Sequence, residues 1–392
     1  MNNIFNIIQN TPINPLTYNT SNISLNQMSK LDRRYPVLLV DTSFWLYYRF
    51  FALRNWYKRA YPDITSQPNF NLEHDWLKDE IFITKYKKLF IDNIKTICKK
   101  YKTVLTNVVF CIDCSHKDIW RLEENKDYKG TRLDSHLKNE FNAYNLFTHI
   151  KKHYLPELQV LYGVKIFYNN RCEADDIIGH FSPYLVNNNF STVYILANDN
   201  DYLQICSEKI IMINGNNRKP IGNGKITVSR KRRDLNNTLT TVNLASIEDN
   251  NDYNEISTIV ADECADECAD ECAEDDDINY GIKYLIKKIL LGDSSDNIKC
   301  CSIDNGYLDT GVPTNQYRNV YKTLATAIVN NSNKYELLKG ILDKIRNGII
   351  KTSDDSQIGF VKNFYNNARL MDFQMLPSNL KNELTNKFNN FI

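Results

Sequence analysis

The sequence predicts an α/β fold with a mostly parallel central sheet flanked by helices. Short apolar runs without polar alternation, at 35–40, 104–112 and 193–197, read as strands covered on both faces. Helical spacing lies between them, as at 78–101 through Phe82, Tyr86, Leu89, Phe90, Ile94 and Ile97. Strand, helix, strand in that order fits a right-handed crossover in a parallel sheet.

Residues 1–34 are polar, rich in Asn, Ser and Thr, and read as a flexible leader. The first strand ends at Asp41, and Thr42 or Ser43 is a candidate cap for an aromatic helix over 44–54. Residues 55–77 look turn-like. The second strand ends at Asp113, a charged stretch follows over 120–132, and a helix is expected through Leu137, Phe141 and Ile150. A short strand is expected over 160–167, then a helix from the Glu173 region toward His180. Asp199 and Asp201 follow the strand at 193–197, and residues 210–213 can add another strand. Helical spacing returns at 282–290, and further helices are expected over 317–329, 334–345 and 361–370. The division that follows is a leader (1–34), a nuclease-like domain (35–213), a variable insertion (214–278) and a helical C-terminal part (279–392).

The chain has 392 residues, 42% of them apolar, with 24 Tyr and 18 Phe, enough for a large core. Its net charge is +1, but residues 261–277 hold ten acids and no base, so the remainder is about +11. That balance suits a nucleic-acid partner or an ordinary lysine-rich surface; charge alone does not separate them. Within the acidic segment Ala-Asp-Glu-Cys occurs three times, and its adjacent like charges favour a disordered surface insertion. Residues 230–233, Arg-Lys-Arg-Arg, can touch phosphate, serve as a nuclear address or simply be a solvated loop.

Ten cysteines in a chain this long do not make a disulfide scaffold, and no secretory signal or membrane-spanning run is visible. An intracellular, reduced protein is expected, in host cytoplasm or nucleus if viral. Cys111 and Cys114 read as small apolar fillers rather than zinc ligands.

The acids carry the chemistry. Asp41, Asp113 and Asp199 each follow a strand end, where open parallel sheets gather their sites. Glu173, Asp175 and Asp176 open a helix, and Glu173 and Asp176 can share one face. Asp201 follows Asp199 across a tight turn; Asp293 and Asp296 lie in Gly-Asp-Ser-Ser-Asp-Asn. Taken singly, each acid has a plain alternative as a helix cap, a helix-start charge or a turn former. Together they suggest a centre for divalent ions, which prefer oxygen ligands and promote phosphodiester cleavage.

The phrases Tyr-Lys-Gly-Thr-Arg (128–132), Glu-Ala-Asp-Asp (173–176), Asp-Asn-Asp (199–201) and Gly-Asp-Ser-Ser-Asp-Asn (292–297), in that order, resemble the 5′ nuclease family. That family includes flap endonucleases, polymerase I exonuclease domains and phage 5′-3′ exonucleases. The resemblance implies a PIN-like sheet with a helical arch and a two-ion site, with Mg²⁺ as the ion and Mn²⁺ able to substitute. Asp41, Asp113, Glu173 and Asp175 would surround the first ion, and Asp199, Asp201 and Asp296 the second. Asp176 and Asp293 would bind directly or through water, while Lys129 and Arg132 would hold the scissile phosphate. The implied partner is DNA with 5′ ends, flaps or nicks, in replication or repair.

Two departures stand out. Where the family carries an early Arg this chain has Tyr48, followed by Arg49. The family's glycine-rich helix-hairpin turn, a site for K⁺, is replaced after Asn297 by an altered stretch that includes Gly311-Val312-Pro313-Thr314. A nuclease directed at RNA or an RNA/DNA hybrid, and a non-catalytic protein that binds nucleic-acid ends, are the competing readings.

Overall fold

The computed structural model describes residues 30–67, 70–130, 142–213, 280–301, 332–350 and 359–392. Arg132, most of the expected arch, the basic run, the acidic repeat, residues 302–314 of the altered stretch with its candidate K⁺ site, and the helix expected over 317–329 lie outside those residues.

Five strands form one sheet: β1 (Val37–Asp41), β2 (Val108–Ile112), β3 (Lys165–Tyr168), β4 (Val193–Leu196) and β5 (Ile210–Ile213). Their order is β3-β2-β1-β4-β5, and every pairing is parallel. β1 is central, with Val40 opposite both Phe110 and Leu196. Side chains alternate across a strand, so each run feeds two cores. Leu38 and Val40 enter one, Val37 and Leu39 the other.

The first core lies under α1 (Thr42–Ala60), α2 (Glu80–Lys100), α3 (Tyr144–His149) and α4 (Leu155–Tyr162), with a π-helical turn (Ile150–Tyr154) joining the last two. Trp45, Phe50, Phe82, Tyr86 and Phe90 fill it. Burying each such ring contributes roughly 1.5–3 kcal/mol. The polar tips are satisfied: Trp45 Nε1 donates to the Phe90 carbonyl at 3.2 Å, and the Tyr86 hydroxyl to that of Leu46 at 2.8 Å.

Apart from one-turn helices at Pro62–Thr65, Phe70–Glu73 and Arg121–Glu124, the other α-helices of the described residues are α5 (Ala174–Asn187), α6 (Tyr280–Leu291), α7 (Ser332–Arg346), α8 (Gly359–Met371) and α9 (Ser378–Phe388). α5 and α9 cover the other sheet face through Ile177, Phe181, Leu380 and Leu384. The last helix therefore completes the central core. α6, α7 and α8 share a third cluster with Tyr128 and Cys114, which joins them to the strand-end side of the sheet.

Several elements differ from the sequence expectations. α1 runs on to Ala60, and its cap is Asp41, which accepts from the Phe44 N–H at 2.9 Å; Thr42 and Ser43 lie inside the helix. Residues 160–162 end α4 instead of starting a strand, because Gly163 takes the left-handed cap conformation at φ 70°. Residues 31 and 32, inside the expected leader, pack against the sheet domain. Leu31 is buried, and Asn107 donates to the Asp32 carbonyl at 2.8 Å and accepts from its N–H at 2.8 Å.

Candidate metal centre

The strand order reverses between β1 and β4, and in open parallel sheets that reversal opens a crevice at the carboxyl ends. Asp41 ends β1 on one side. On the other, Asp199 caps a 3₁₀ turn (Asn200–Ile205) that carries Asp201. Asp113 leaves β2 beside them and accepts from the Ala174 N–H at 2.8 Å and from the Ser43 hydroxyl. Glu173 caps α5, while Asp175 and Asp176 lie in its first turn, where a helix dipole favours negative charge.

The acids repel one another across this crevice. Asp41 is pushed up to about 7 by burial and by Asp113, Asp175 and Asp199. Glu173 rises to about 7 through burial and Asp175, with Lys129 and Arg121 opposing. Asp201 also rises to about 7 through burial and Asp199, against the pull of Lys288. The Asp175 charge acts on all three. Burial would raise Asp175 itself, but Arg121, Lys129 and the Asp176 N–H outweigh it and hold it below the usual carboxylate range.

Three cations stand among these acids. Arg121, 3% exposed, bonds Asp176 at 2.9 and 2.7 Å and Glu173 at 3.0 Å. Its guanidinium lies near the Trp120 and Tyr128 rings. Lys129 Nζ meets Glu173 Oε1 at 2.6 Å. Lys288 of α6 meets both Asp201 oxygens at 2.5 Å and Asp293 at 3.0 Å. Burial would lower Lys288, but Asp201, Asp293 and Asp199 hold it well above the ordinary lysine value. Asp293 is pulled down to about 2, because Lys288 and Ser295 outweigh its burial.

Ligand oxygens of Glu173, Asp175 and Asp176 lie within 4.8 Å of one another. A set of hard oxygen donors with excess negative charge suits a divalent cation. Asp176 already takes Trp120 Nε1 at 3.0 Å, the Glu173 N–H at 3.0 Å and the Arg121 fork. Its oxygens hold the protein together more than they face the crevice. Asp296 is tied in by Tyr128, whose hydroxyl lies 3.1 Å from Glu173 and 3.4 Å from Asp296.

Lys129 lies in a turn at φ 56°, where its N–H donates to the Asp296 carbonyl at 3.0 Å. Lys129 thus reaches Glu173 from a turn. Arg49 lies over the Trp45 and Tyr48 rings, 4.8 and 4.3 Å from their centroids. Sequence reasoning missed Arg121, Tyr202 and Lys288 as site residues. The buried Tyr202 donates to Asp41 at 3.2 Å. Its signal was its place beside Asp201; Arg121 had one in the Tyr-Lys-Gly-Thr-Arg phrase seven residues on. Lys288 had none, because lysine on an amphipathic helix ordinarily reads as solvated.

Residues 36–231 match a family model described as 5′-3′ exonuclease, N-terminal resolvase-like domain. No curated protein matches the chain. Among solved structures, the bacteriophage T5 5′-exonuclease with bound zinc is 14% identical. That likeness covers 91% of this chain and 99% of the other, at a TM-score of 0.44. A bacteriophage T5 flap endonuclease, in a pseudo-enzyme-product complex with DNA and metal ions, is also 14% identical. It covers 91% and 98%, with a TM-score of 0.45. At those identities and scores the likeness assigns no role to any residue here.

Proposed function

The chain belongs to the 5′-3′ exonuclease family through the N-terminal resolvase-like domain at residues 36–231, and on that premise we propose that it is a metal-dependent 5′ nuclease acting on DNA. Its reaction is hydrolysis of phosphodiesters at 5′ ends, flaps or nicks, in replication or repair. One observation carries this reading. Asp41, Asp113, Glu173, Asp175, Asp199 and Asp201 converge at the switch point of the sheet, and three of them are pushed to about 7.

Asp41, Asp113, Glu173 and Asp175 would hold one ion, and Asp199, Asp201 and Asp296 a second. When bound, two divalent ions supply a water acidic enough to attack at neutral pH and offset charge on the phosphate. Mg²⁺ fits this donor set, and Mn²⁺ can substitute. The chain's own residues do the rest. Arg121 and Asp176 fix the orientation of Glu173. Lys129 and Arg132 supply positive charge for the scissile phosphate, with Lys129 held at the crevice by Glu173. Asp293 positions Lys288 against Asp201.

The test is cleavage of 5′-labelled flap, nicked, single-stranded and RNA/DNA hybrid substrates with Mg²⁺ or Mn²⁺. Products that vanish with EDTA and with Asp199→Ala support the proposal. A folded protein that binds these substrates and cuts none overturns it in favour of an end-binding role. Preferential cutting of the hybrid moves the substrate to RNA.

A further inference from the structure

The 3₁₀ turn at Asn200–Ile205 carries Asp201 and is capped by Asp199, so its placement sets where those two acids stand. Its far end is held by Gln204, which is 8% exposed and spends both ends of its amide on the C-terminal segment. Gln204 Nε2 donates to the Met371 carbonyl at 3.1 Å, and its Oε1 accepts from the Phe373 N–H at 2.9 Å. The adjacent carbonyl, that of Leu370, accepts from Arg121 Nε at 2.7 Å. The same guanidinium holds Glu173 and Asp176. Two neighbouring backbone carbonyls at the end of α8 therefore hold one side chain from each half of the acidic centre.

The segment is itself fixed from outside that centre. The Asp372 side chain is fully buried and meets Arg346 Nε of α7 at 2.7 Å. It also accepts from the Gln374 N–H at 2.9 Å. Phe373 lies so close over α5 that a Cβ on Gly179 would come within 2.6 Å of its ring.

We propose that Gln204 is a positioning residue for the second ion, acting through residues 370–373 as a brace shared by both halves of the centre. The inference rests on the two-ion reading given above. Partners that orient a ligand without touching the ion govern affinity by about 10–100-fold. Gln204 does so at one remove, by fixing the turn that presents Asp199 and Asp201.

The experiment titrates the 392-residue chain with Mn²⁺, read by electron paramagnetic resonance and calorimetry, for wild type, Asp199→Ala and Gln204→Leu. Asp199→Ala identifies the binding step that belongs to the second ion. Gln204→Leu is expected to weaken that step by about tenfold or more and leave the other unchanged. Equal loss of both steps, or an isotherm matching wild type, overturns the brace and leaves the nuclease reading standing. A wild-type isotherm that Asp199→Ala does not alter overturns the second-ion set, and the brace with it. Should Gln204→Leu fail to fold, hydrogen exchange on wild type decides. Mn²⁺ is then expected to slow exchange of the Phe373 amide, and an unchanged rate overturns the proposal.

Discussion

Replacing Arg121 with methionine removes one cation from a buried cluster and leaves its partners behind. Arg121 is 3% exposed, Asp176 1% and Glu173 8%, so water does not readily take over the lost bonds. Contacts near 3 Å give a gross attraction of roughly 5 kcal/mol per full charge pair at an effective dielectric of about 20. The cost of burying the guanidinium offsets part of it. Breaking a buried pair from one side costs about 3–5 kcal/mol. Folded domains hold about 5–15 kcal/mol in all. Urea denaturation at pH 8 in EDTA measures the loss, provided the slope against urea is unchanged.

The loss also has a pH signature. Burial already raises the Asp176 carboxyl, with Arg121 opposing, so the variant raises it further. A carboxyl raised in the fold contributes stability that is present below its unfolded value and lost as pH rises through its folded value. The deficit of Arg121→Met should therefore grow as pH rises through the folded value of Asp176 in wild type toward the higher one in the variant. Adding Asp176→Leu removes the orphaned charge and should recover part of the deficit. A loss under about 1 kcal/mol, or a deficit flat with pH, refutes the account of a buried compensated cluster.

Stability in EDTA should fall as pH rises from about 4 toward about 7, because Asp41, Glu173 and Asp201 are all raised to about 7. Mg²⁺ should flatten that slope in thermal melts, and an identical slope with Mg²⁺ contradicts ion binding by these acids. Lys288→Met should bind Mn²⁺ more tightly at pH 8, since Asp201 and Asp293 lose a tethered competitor. Weaker binding by titration would instead assign Lys288 to holding those acids in place. Gly281→Ala should cost about 1–3 kcal/mol, because its Cβ would fall 1.9 Å from the Leu203 carbonyl oxygen. Cleavage should drop with it, since Leu203 belongs to the turn bearing Asp201; a urea midpoint and rate equal to wild type would refute this.

The sheet was legible because its strands are continuous apolar runs, and Asp41, Asp113 and Asp199 stood out because they follow the ends of such runs. Residues 160–162 misled because a short apolar run fits a strand or a buried helix end, and only the conformation of Gly163 decides. The groups that organise the acids were hidden for another reason. Arg121 meets Leu370, Gln204 meets Met371 and Lys288 meets Asp201 across separations of 249, 167 and 87 residues. No local spacing encodes such contacts. Asp41 could be read as a cap or as a ligand, and the structure gives it both surroundings: it caps α1 while lying among the acids of the crevice.

The parallel order of the sheet also bears on how the protein is made. β1 pairs with β4 across more than 150 residues of intervening chain, and such non-local pairing is slow to form. On a ribosome, Asp41 emerges long before Asp199, Asp201 and Asp296, and the carbonyls of Leu370 and Met371 come later still. A nascent chain thus holds Asp41, Asp199 and Asp201 before the carbonyls that take Arg121 and Gln204 exist. The order of translation therefore makes the Arg121 and Gln204 contacts with residues 370 and 371 the last of these to form.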